Sequence, residues 1–543
     1  MRVTDRIEPN RTHHTAMNHL EDSSHLLRTD GGRSGPLPDS LIVVSNRQPY
    51  RHEWEDSVSE VDSAPTEDER HDISVAEPNG GLTAGLDPVM RTTGGTWIAW
   101  GDGNADRAVT DDTDCVAVPP GTDDQYTLRR VWLSEEAVDG YYTGYSNRVL
   151  WPLCHGLTDY VEFRPSDLEW YRRANRQFAD AVLEQATDES VIWLQDYHLG
   201  LAPSMIREDL PSGATIAQFW HIPWPDLAAF RDCPNGRELL EGLLGNHLLG
   251  FHVERYGTNF LDCIDALVPG AAVDYRNRTV RYEGTVTEIV STPMGVDADT
   301  YDERAREVPT DRWDALRERY DIPADCAVGL GVDRLDYTKG IPERLAALEH
   351  LFEAYPSWRE SFTFVQKSTP SRTTIPAYER HGATVREAVD RLNERFGTES
   401  WRPVVYTEEV LDHADLTTLY READVMIVSS LQDGMNLVAQ EYVAASLEND
   451  GALVLSQETG AADVLGYPAH TVDPTDVKTF ARTIADALST TDGERRSRMA
   501  ALRTHVFEYD LEWWMDEQFA HIANRRRRLE YEQPNGPNPS RTT

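Results

Sequence analysis

The alternation of short apolar runs with amphipathic helical segments constrains the fold of this chain more than any other feature. In the first half, helical periodicity over residues 168–185 and 236–244 separates apolar runs at 41–45, 191–195, 216–220 and 248–251. Runs of this length, bounded by polar residues, are typical of buried strands. The resulting βαβ pattern predicts a parallel sheet with helices on its faces.

The same pattern starts again in the second half. Helices are predicted over residues 342–354, 375–396 and 435–446, between strands at 327–332, 362–365, 403–406, 425–428 and 452–455. Residues 281–293 lie between the two series, and residues 293–297 predict a hinge. The predicted fold class is therefore α/β, with two doubly wound domains that face a cleft.

These patterns divide the chain into five segments. Residues 1–40 are polar and without periodicity, which predicts a flexible N-terminal arm. An N-terminal domain is predicted over residues 41–292, with an acidic surface loop at 53–77, and a C-terminal domain over residues 293–505. We expect residues 506–532 to form a C-terminal helix that crosses back to the first domain, and residues 533–543 to be a disordered tail.

The charge balance argues against two classes of partner. The chain has 93 Asp and Glu against 52 Lys and Arg, and its net charge of −41 repels nucleic acids and anionic membranes. Only three of the 52 cationic residues are lysines, namely Lys339, Lys367 and Lys478. A carboxylate-rich, lysine-poor surface predicts a halophilic archaeal protein in molar salt, where screening weakens self-repulsion. An acidic mesophilic protein is the alternative.

The remaining composition predicts a cytoplasmic location. No stretch approaches the roughly 18 consecutive apolar residues of a membrane span, and the first 40 residues contain no apolar signal-peptide core. The five cysteines are widely spaced and include no C-x-x-C pair, so we expect free thiols and no zinc site. Residues 101–106 are the nearest match to G-x-G-x-x-G, but they lack the third glycine and a clear preceding strand, which argues against a nicotinamide dehydrogenase.

The block at residues 333–340 is the sharpest chemical signal. Its Arg334 offers a planar fork of donors for phosphate oxygens, and its Lys339 offers a point charge in a chain that has almost no lysine. The block follows a predicted strand, where ligands bind in such sheets. We therefore expect a phosphate site here; a surface pair with Asp336 is the alternative.

Two further segments are candidates for ligand contacts. Residues 433–441 follow a strand and open a helix whose first N–H groups attract anions, and Gly434 would let the backbone approach a ligand. Glu441 would face a pair of ribose hydroxyls or be an ordinary exposed glutamate. Gly80 and Gly81 would form either an anion cradle or a structural turn. Taken singly, Asp196 and His221 would also fit capped or buried polar residues.

Taken together, these blocks resemble the trehalose-6-phosphate synthases. The resemblance runs from about residue 41 to residue 514 and covers seven ordered blocks, at residues 45–47, 80–82, 141–152, 196–199, 221–223, 334–340 and 433–441. It implies two Rossmann-like domains in the B-type glycosyltransferase (GT-B) arrangement. It also implies transfer of glucose, with retention, from a nucleotide-diphosphate glucose to glucose-6-phosphate, giving α,α-trehalose 6-phosphate, an osmolyte precursor.

The resemblance assigns roles residue by residue. It implies small-molecule substrates, no cofactor and no metal; it leaves open a homo-oligomer and whether the donor carries UDP, GDP or ADP. The implied catalytic residues are Arg334, Lys339, Asp433 and His221. The implied donor-binding residues are Gly80, Gly81, Arg334, Lys339, Leu437, Val438 and Glu441. The implied acceptor-binding residues are Arg47, Tyr142, Trp151, Asp196 and Arg372.

Two alternatives share this template. A glucosylglycerol-phosphate synthase would use glycerol-3-phosphate, but that group is expected to have Asn-Gly at Gly80–Gly81 and Asn at His198. A catalytically silent regulatory homologue would have lost ligands that this chain retains. The chain departs from the resembled pattern at Gln440, where a lysine is common, and this could alter donor contacts.

Overall fold

The computed structural model describes residues 37–55, 73–76 and 81–532. Four predictions fall wholly or largely outside these residues: the flexible arm, most of the acidic loop, the disordered tail and the contacts of Gly80. In the described part of the chain, no helix is long and apolar enough to cross a membrane.

The first domain is built on a ten-stranded sheet. Its seven central strands are parallel, and antiparallel strands extend both edges. In spatial order the strands are Ala272–Asp274, Thr279–Tyr282, Thr285–Ser291, Leu248–Phe251, Thr215–Trp220, Ser190–Gln195, Ser40–Arg47, Thr96–Trp100, Tyr126–Val131 and Cys115–Val118.

Successive residues of the central strands fill two separate cores. In the strand Ser40–Arg47, Ile42 and Val44 pack into one core, whereas Leu41 and Val43 pack into the other. Because side chains alternate along a strand, a sheet covered on both faces has continuous apolar strands, as the sequence shows.

The second domain has the doubly wound strand order on a six-stranded, all-parallel sheet. In spatial order its strands are Val404–Thr407, Phe362–Pro370, Ala327–Leu335, Val425–Val428, Ala452–Ser456 and His470–Val472. The order reverses between Ala327–Leu335 and Val425–Val428. In such sheets, ligands bind at this switch point, beyond the carboxyl ends of the strands.

Helices cover both sheets. Those of the first domain are Gly81–Thr93, Asp106–Val109, Glu135–Ala137, the π-helix Val138–Leu150, Trp151–Cys154, Thr158–Tyr160, Pro165–Gln185, Tyr197–Leu199, Ala202–Arg207, Leu227–Phe230, Gly236–Leu243 and Glu254–Leu267. Those of the second are Ala298–Glu307, Asp311–Arg319, Tyr337–Lys339, Ile341–Ala354, Pro356–Trp358, Pro376–Phe396, His413–Glu422, Leu437–Ala445, Gly460–Leu465, Val477–Ser489 and Asp492–Glu508.

The last helix, Leu511–Glu532, packs on the first domain. Its fully buried Trp514 meets Trp193 at a ring-centroid distance of 5.7 Å and Phe219 at 5.0 Å. The chain therefore returns across the cleft after completing the second domain.

Several elements differ from the sequence prediction. A strand, Thr96–Trp100, directly precedes residues 101–106, where none was clear from the sequence. Part of the segment assigned to the connection between the domains forms a hairpin of Thr279–Tyr282 with Thr285–Ser291. The ends of the predicted acidic loop pair as an antiparallel ribbon, Arg51–Trp54 with Ile73–Ala76.

Candidate active site

Two loops meet at the switch point of the second domain. One loop follows the strand Ala327–Leu335, which has Arg334 near its end, and this loop carries Lys339; the other follows Val425–Val428 and carries Asp433. Gly340 allows the loops to touch, since it has a φ of +60° and a Cβ there would lie 2.1 Å from the carbonyl oxygen of Ser429.

An ion pair joins these loops. Lys339 Nζ lies 2.5 Å from Asp433 Oδ2, which also accepts hydrogen bonds from Ser430 Oγ and Asn436 Nδ2, both at 3.1 Å. Burial alone would raise the pKa of Asp433, but the Lys339 ammonium outweighs it and holds this pKa well below its usual range. The switch point thus presents an ionised carboxylate beside a fixed cation.

A second cluster centres on the buried guanidinium of Arg372. Its Nη1 donates to Asp336 Oδ2 at 3.1 Å and to the Tyr378 hydroxyl at 2.7 Å. The guanidinium lies over the Trp151 ring at 4.0 Å, and that of Arg334 lies at 5.1 Å from the same ring. Trp151 belongs to the first domain, so this cluster spans the cleft.

Arg47 and Tyr142 extend the same cluster on the first domain. Arg47 ends its strand, and its guanidinium lies near the Tyr142 hydroxyl. Burial would raise the pKa of Tyr142, but Arg372 and Arg47 outweigh it, so this pKa is lowered. Several cations therefore converge on one phenol in a protein with a net charge of −41.

Asp196 lies directly after the strand Ser190–Gln195, with a φ of +70°. Burial raises the pKa of its carboxyl to about 7, against the opposing effects of the backbone N–H groups of Tyr197 and His221 and of the nearby arginines. Its Oδ1 accepts the N–H of His221 at 3.3 Å. The carboxylate is therefore held at the carboxyl end of the sheet, facing the cations.

His221 is a neutral imidazole. Burial lowers the pKa of His221 well below its usual value, with His252 adding to the effect, and Nε2 lies 3.0 Å from Gln195 Oε1. Because an amide oxygen only accepts, we assign the ring proton to Nε2, which leaves Nδ1 as the acceptor nitrogen.

Gly434 brings the domains together at this histidine. A Cβ on Gly434 would lie 2.0 Å from the carbonyl oxygen of His221, and the Tyr256 hydroxyl donates to the carbonyl of Asp433 at 2.8 Å. Gly434 therefore permits a close approach of the backbones of the two domains, and the expectation that it also lets the backbone approach a ligand stays a prediction.

The helix Leu437–Ala445 begins beside this contact. Asn436 caps it, with a φ of +79° and its side-chain oxygen accepting the Ala439 N–H at 3.1 Å. Leu437 and Val438, in the first turn, are half-buried. Glu441 is also half-buried; its Oε2 accepts from the Tyr420 hydroxyl at 2.8 Å, and burial raises the pKa of Glu441. It is therefore a tethered carboxylate and not an ordinary exposed glutamate.

The structure links most of the predicted site residues by direct contacts. Gly81 begins the helix Gly81–Thr93, and Gly80 lies outside the described residues. Gln440 donates from Nε2 to the carbonyl of Met294 at 3.1 Å and so joins the hinge to the helix. Their roles toward substrates remain predictions. Sequence reasoning missed Asp336, Tyr197 and Tyr378 as members of the Arg372 cluster. Asp336 and Tyr197 lie within blocks that the sequence analysis singles out, whereas Tyr378 lies in none of them.

Comparison with known proteins decides the family. The profile of glycosyltransferase family 20 matches residues 39–524. The chain belongs to glycosyltransferase family 20. The trehalose-6-phosphate synthase of Mycobacterium avium is 37% identical over 446 residues, with 80% of this chain and 88% of that protein covered. The UDP-forming α,α-trehalose-phosphate synthase of Schizosaccharomyces pombe is 31% identical, with coverage of 92% and 93%.

Solved structures from trehalose-phosphate synthesis agree with this assignment. An E. coli structure described as trehalose-6-phosphate bound with UDP-2-fluoro glucose has a TM-score of 0.77 at 31% identity, and covers 90% of this chain and 99% of its own. A UDP-forming synthase from Burkholderia xenovorans in complex with glucose-6-phosphate has a TM-score of 0.75 at 29% identity, with coverage of 89% and 100%. These findings confirm the predicted family, the GT-B arrangement of two Rossmann-like domains and the retaining glycosyltransferase class.

The prediction of no metal is a separate matter. Within the described residues, no group of three or more His, Cys, Asp or Glu side chains is arranged to hold a metal ion. That finding concerns the protein's own ligands, and the requirement for metal in the reaction stays a prediction.

Proposed function

We propose that this chain transfers the glucosyl group of UDP-glucose to the 1-hydroxyl of glucose-6-phosphate, with retention, giving α,α-trehalose 6-phosphate and UDP. The observation that carries the proposal is that cationic side chains gather at two places in one cleft: Lys339 and Arg334 at the switch point, and Arg372 and Arg47 near Tyr142. Two anionic substrates need two such sites. The UDP-forming relatives and the B. xenovorans complex with glucose-6-phosphate support the choice of donor and acceptor.

On the donor side, Arg334 and Lys339 would bind the diphosphate. Arg334 is partly exposed at its strand end, so its guanidinium can meet an incoming ligand. Lys339 already has a carboxylate partner, Asp433, which fixes the ammonium in place before the donor binds. Leu437 and Val438, in the first turn of their helix, would line the nucleotide side together with Gly80 and Gly81. Glu441, tethered by Tyr420, would accept hydrogen bonds from the ribose hydroxyls.

On the acceptor side, Arg372 and Arg47 would bind the 6-phosphate as charge-assisted forks, with the Tyr142 hydroxyl between them. The Arg372 Nε atom is buried and has no hydrogen-bond partner among the described residues, so it is a donor available to such an anion. Asp196 would accept from sugar hydroxyls, and Trp151 would pack beside the acceptor ring.

The reaction needs charge stabilisation more than a nucleophile. The bond from the glucose C1 to the diphosphate oxygen breaks, a bond from C1 to the acceptor oxygen forms on the same face, and the leaving phosphate oxygen takes the acceptor proton. Fixed cations at Arg334 and Lys339 would stabilise the charge that develops on the leaving group. Asp433 and the neutral His221 would orient the transferred glucose, and closure of the two domains would exclude water.

A product assay tests the proposal. The purified protein, in molar KCl, receives UDP-, GDP- or ADP-glucose with either glucose-6-phosphate or glycerol-3-phosphate, and products are identified by mass and NMR. We expect a nonreducing α,α-linked disaccharide phosphate, with UDP-glucose preferred. A product with glycerol-3-phosphate alone would instead identify a glucosylglycerol-phosphate synthase. No turnover in folded protein would identify a silent homologue.

The composition supports a halophilic, cytoplasmic setting for this activity. Lysine is almost absent among 52 cations in a chain of net charge −41, and this favours a salt-rich cytoplasm in which a trehalose precursor would serve osmolyte synthesis. Four of the five free cysteines are buried, which fits a reducing compartment.

A further inference from the structure

Asp336 lies at the centre of the acceptor cluster, although it is not among the residues that the resemblance assigns to substrate binding. It lies between the strand that carries Arg334 and the short helix that carries Lys339, and its side chain is fully buried. Burial would raise its pKa, but Arg372 and Arg334 outweigh burial, so the pKa of Asp336 is lowered. A buried, ionised carboxylate of this kind destabilises the fold unless it is paired with opposite charge and hydrogen-bonded.

The two oxygens of Asp336 have different partners. Oδ1 accepts from the Thr338 N–H at 3.1 Å, from the Thr338 hydroxyl at 3.0 Å and from Trp151 Nε1 at 3.4 Å. Oδ2 faces Arg372 Nη1 at 3.1 Å and the Tyr378 hydroxyl at 3.4 Å. Oδ1 therefore orders the donor loop and the Trp151 ring, and Oδ2 holds the acceptor arginine while lying 4.0 Å from Nη2 of Arg334.

The guanidinium of Arg372 is fixed by these partners. Tyr378 accepts from Nη1 at 2.7 Å, and the Tyr197 hydroxyl lies 3.4 Å from Nη2. The Trp151 ring covers one face of the guanidinium, and the backbone of Arg372 has a φ of +48°, a conformation that surrounding contacts must maintain. The buried Nε of Arg372 has no hydrogen-bond partner among the described residues.

We propose that Asp336 is a positioning residue for acceptor binding: it holds Arg372 over the Trp151 ring so that Nε and Nη2 meet the phosphate of the sugar phosphate. This inference rests on the proposed function, because it assumes that Arg372 binds that phosphate. Preorganisation of this kind strengthens binding, since the guanidinium is already ordered when the ligand arrives. The carboxylate acts through Arg372 and takes no part in bond making.

Asp336→Asn tests the proposal selectively. The amide oxygen can replace Oδ1 toward Thr338, whereas the NH2 group would oppose the N–H donor of Arg372. We expect the KM for glucose-6-phosphate to rise about tenfold or more, and the KM for UDP-glucose to change less than about twofold. Tyr378→Phe removes the second partner of Nη1 without altering charge, and should raise the same KM about threefold.

A double-mutant cycle separates positioning from a general structural role. If Asp336 acts through Arg372, the variant with Asp336→Asn and Arg372→Ala should have the acceptor KM of Arg372→Ala alone; additive effects would overturn the proposal. Asp106→Asn, which alters a fully buried carboxylate paired with Arg130, is the control and should leave both KM values unchanged.

Failure of this inference can be distinguished from failure of the proposed function. If Arg372→Ala itself leaves the KM for glucose-6-phosphate unchanged, the acceptor site lies elsewhere and both proposals fall. If Arg372→Ala raises that KM while Asp336→Asn and Tyr378→Phe do not, the acceptor site stands and only the positioning role is refuted. Circular dichroism on each variant excludes misfolded samples from the comparison.

Discussion

Lys339 Nζ lies 2.5 Å from Asp433 Oδ2, and this ion pair joins the two loops that flank the switch point of the second domain. The carboxylate is also tied to Ser430 and Asn436, so the pair belongs to a network and is largely shielded from water. An ammonium fixed in this way needs little reorganisation when negative charge develops on a leaving phosphate. The same pair thus bears on both stability and turnover.

Replacement of this lysine should affect both properties. We expect Lys339→Ala to lower kcat about 10²-fold, because one preorganised cation is lost. It should also lower the free energy of unfolding by about 3 kcal/mol, since it leaves the Asp433 carboxylate buried and unpaired. Steady-state kinetics and denaturant unfolding in molar KCl measure the two effects.

Lys478→Ala is the matched control, because Lys478 is one of the three lysines and is exposed in the helix Val477–Ser489. It should leave both quantities unchanged. Turnover of Lys339→Ala within twofold of wild type would remove Lys339 from the catalytic assignment.

The contact between Gly434 and the carbonyl of His221 leads to a second prediction. Gly434→Ala would place a methyl group 2.0 Å from that oxygen, so the backbones of the two domains must separate. Small displacements of this kind are expensive for catalysis, and we expect kcat/KM to fall about 10²-fold while each domain stays folded.

Gly493→Ala is the control for this change, because no atom of the described residues outside the helix backbone lies within 4 Å of the added Cβ in the helix Asp492–Glu508. Its activity should equal that of the wild type. Wild-type kinetics in Gly434→Ala would mean that the close approach of the domains at His221 is not needed for turnover.

Much of the fold could be predicted from apolar runs. The strands Leu248–Phe251 and Val425–Val428 have the predicted bounds, because both are uniformly buried. The strand Tyr126–Val131 was missed because it contains Arg129 and Arg130. Arg130 is fully buried against Asp106, and a paired charge inside a core has no signature in hydropathy.

The segments that form the site could be predicted from the sequence, but the contacts between their side chains could not. Arg334, Lys339 and Asp433 could be predicted because they lie at or just beyond the carboxyl ends of strands of one domain. The placement of Arg372 over Trp151 depends on how two domains approach each other, and no local pattern encodes that approach. Asp336 was read only as a surface partner because the sequence could not reveal its burial.

The raised pKa of Asp196 gives a pH dependence with a definite sign. Burial raises this pKa from 3.8 to about 7, so the unfolded chain loses the proton first as the pH rises. The carboxyl therefore destabilises the fold increasingly between pH 4 and pH 7, and the penalty is complete above pH 7. Asp196→Asn removes it.

Asp196→Asn should be more stable than the wild type, and we expect this difference in free energy of unfolding to be about 2 kcal/mol larger at pH 8 than at pH 5. Urea unfolding at constant molar salt measures the difference, and Asp123→Asn, at an exposed aspartate, should show no such trend. A pH-independent difference between Asp196→Asn and the wild type would show that this carboxyl is ionised in the fold throughout.

The net charge of −41 predicts that the fold depends on salt. The Debye length falls from about 10 Å at 0.1 M to about 3 Å at 1 M, so repulsion among surface carboxylates is largely screened only at the higher concentration. We expect the free energy of unfolding to rise by about 2 kcal/mol or more between 0.1 and 2 M KCl, which raises Tm by about 4–8 °C. Sucrose is the control, since it favours burial without screening charge and should give a smaller gain. A protein that is equally stable in dilute buffer and in 2 M KCl would be the acidic mesophile, and the near-absence of lysine would then have no connection with salt.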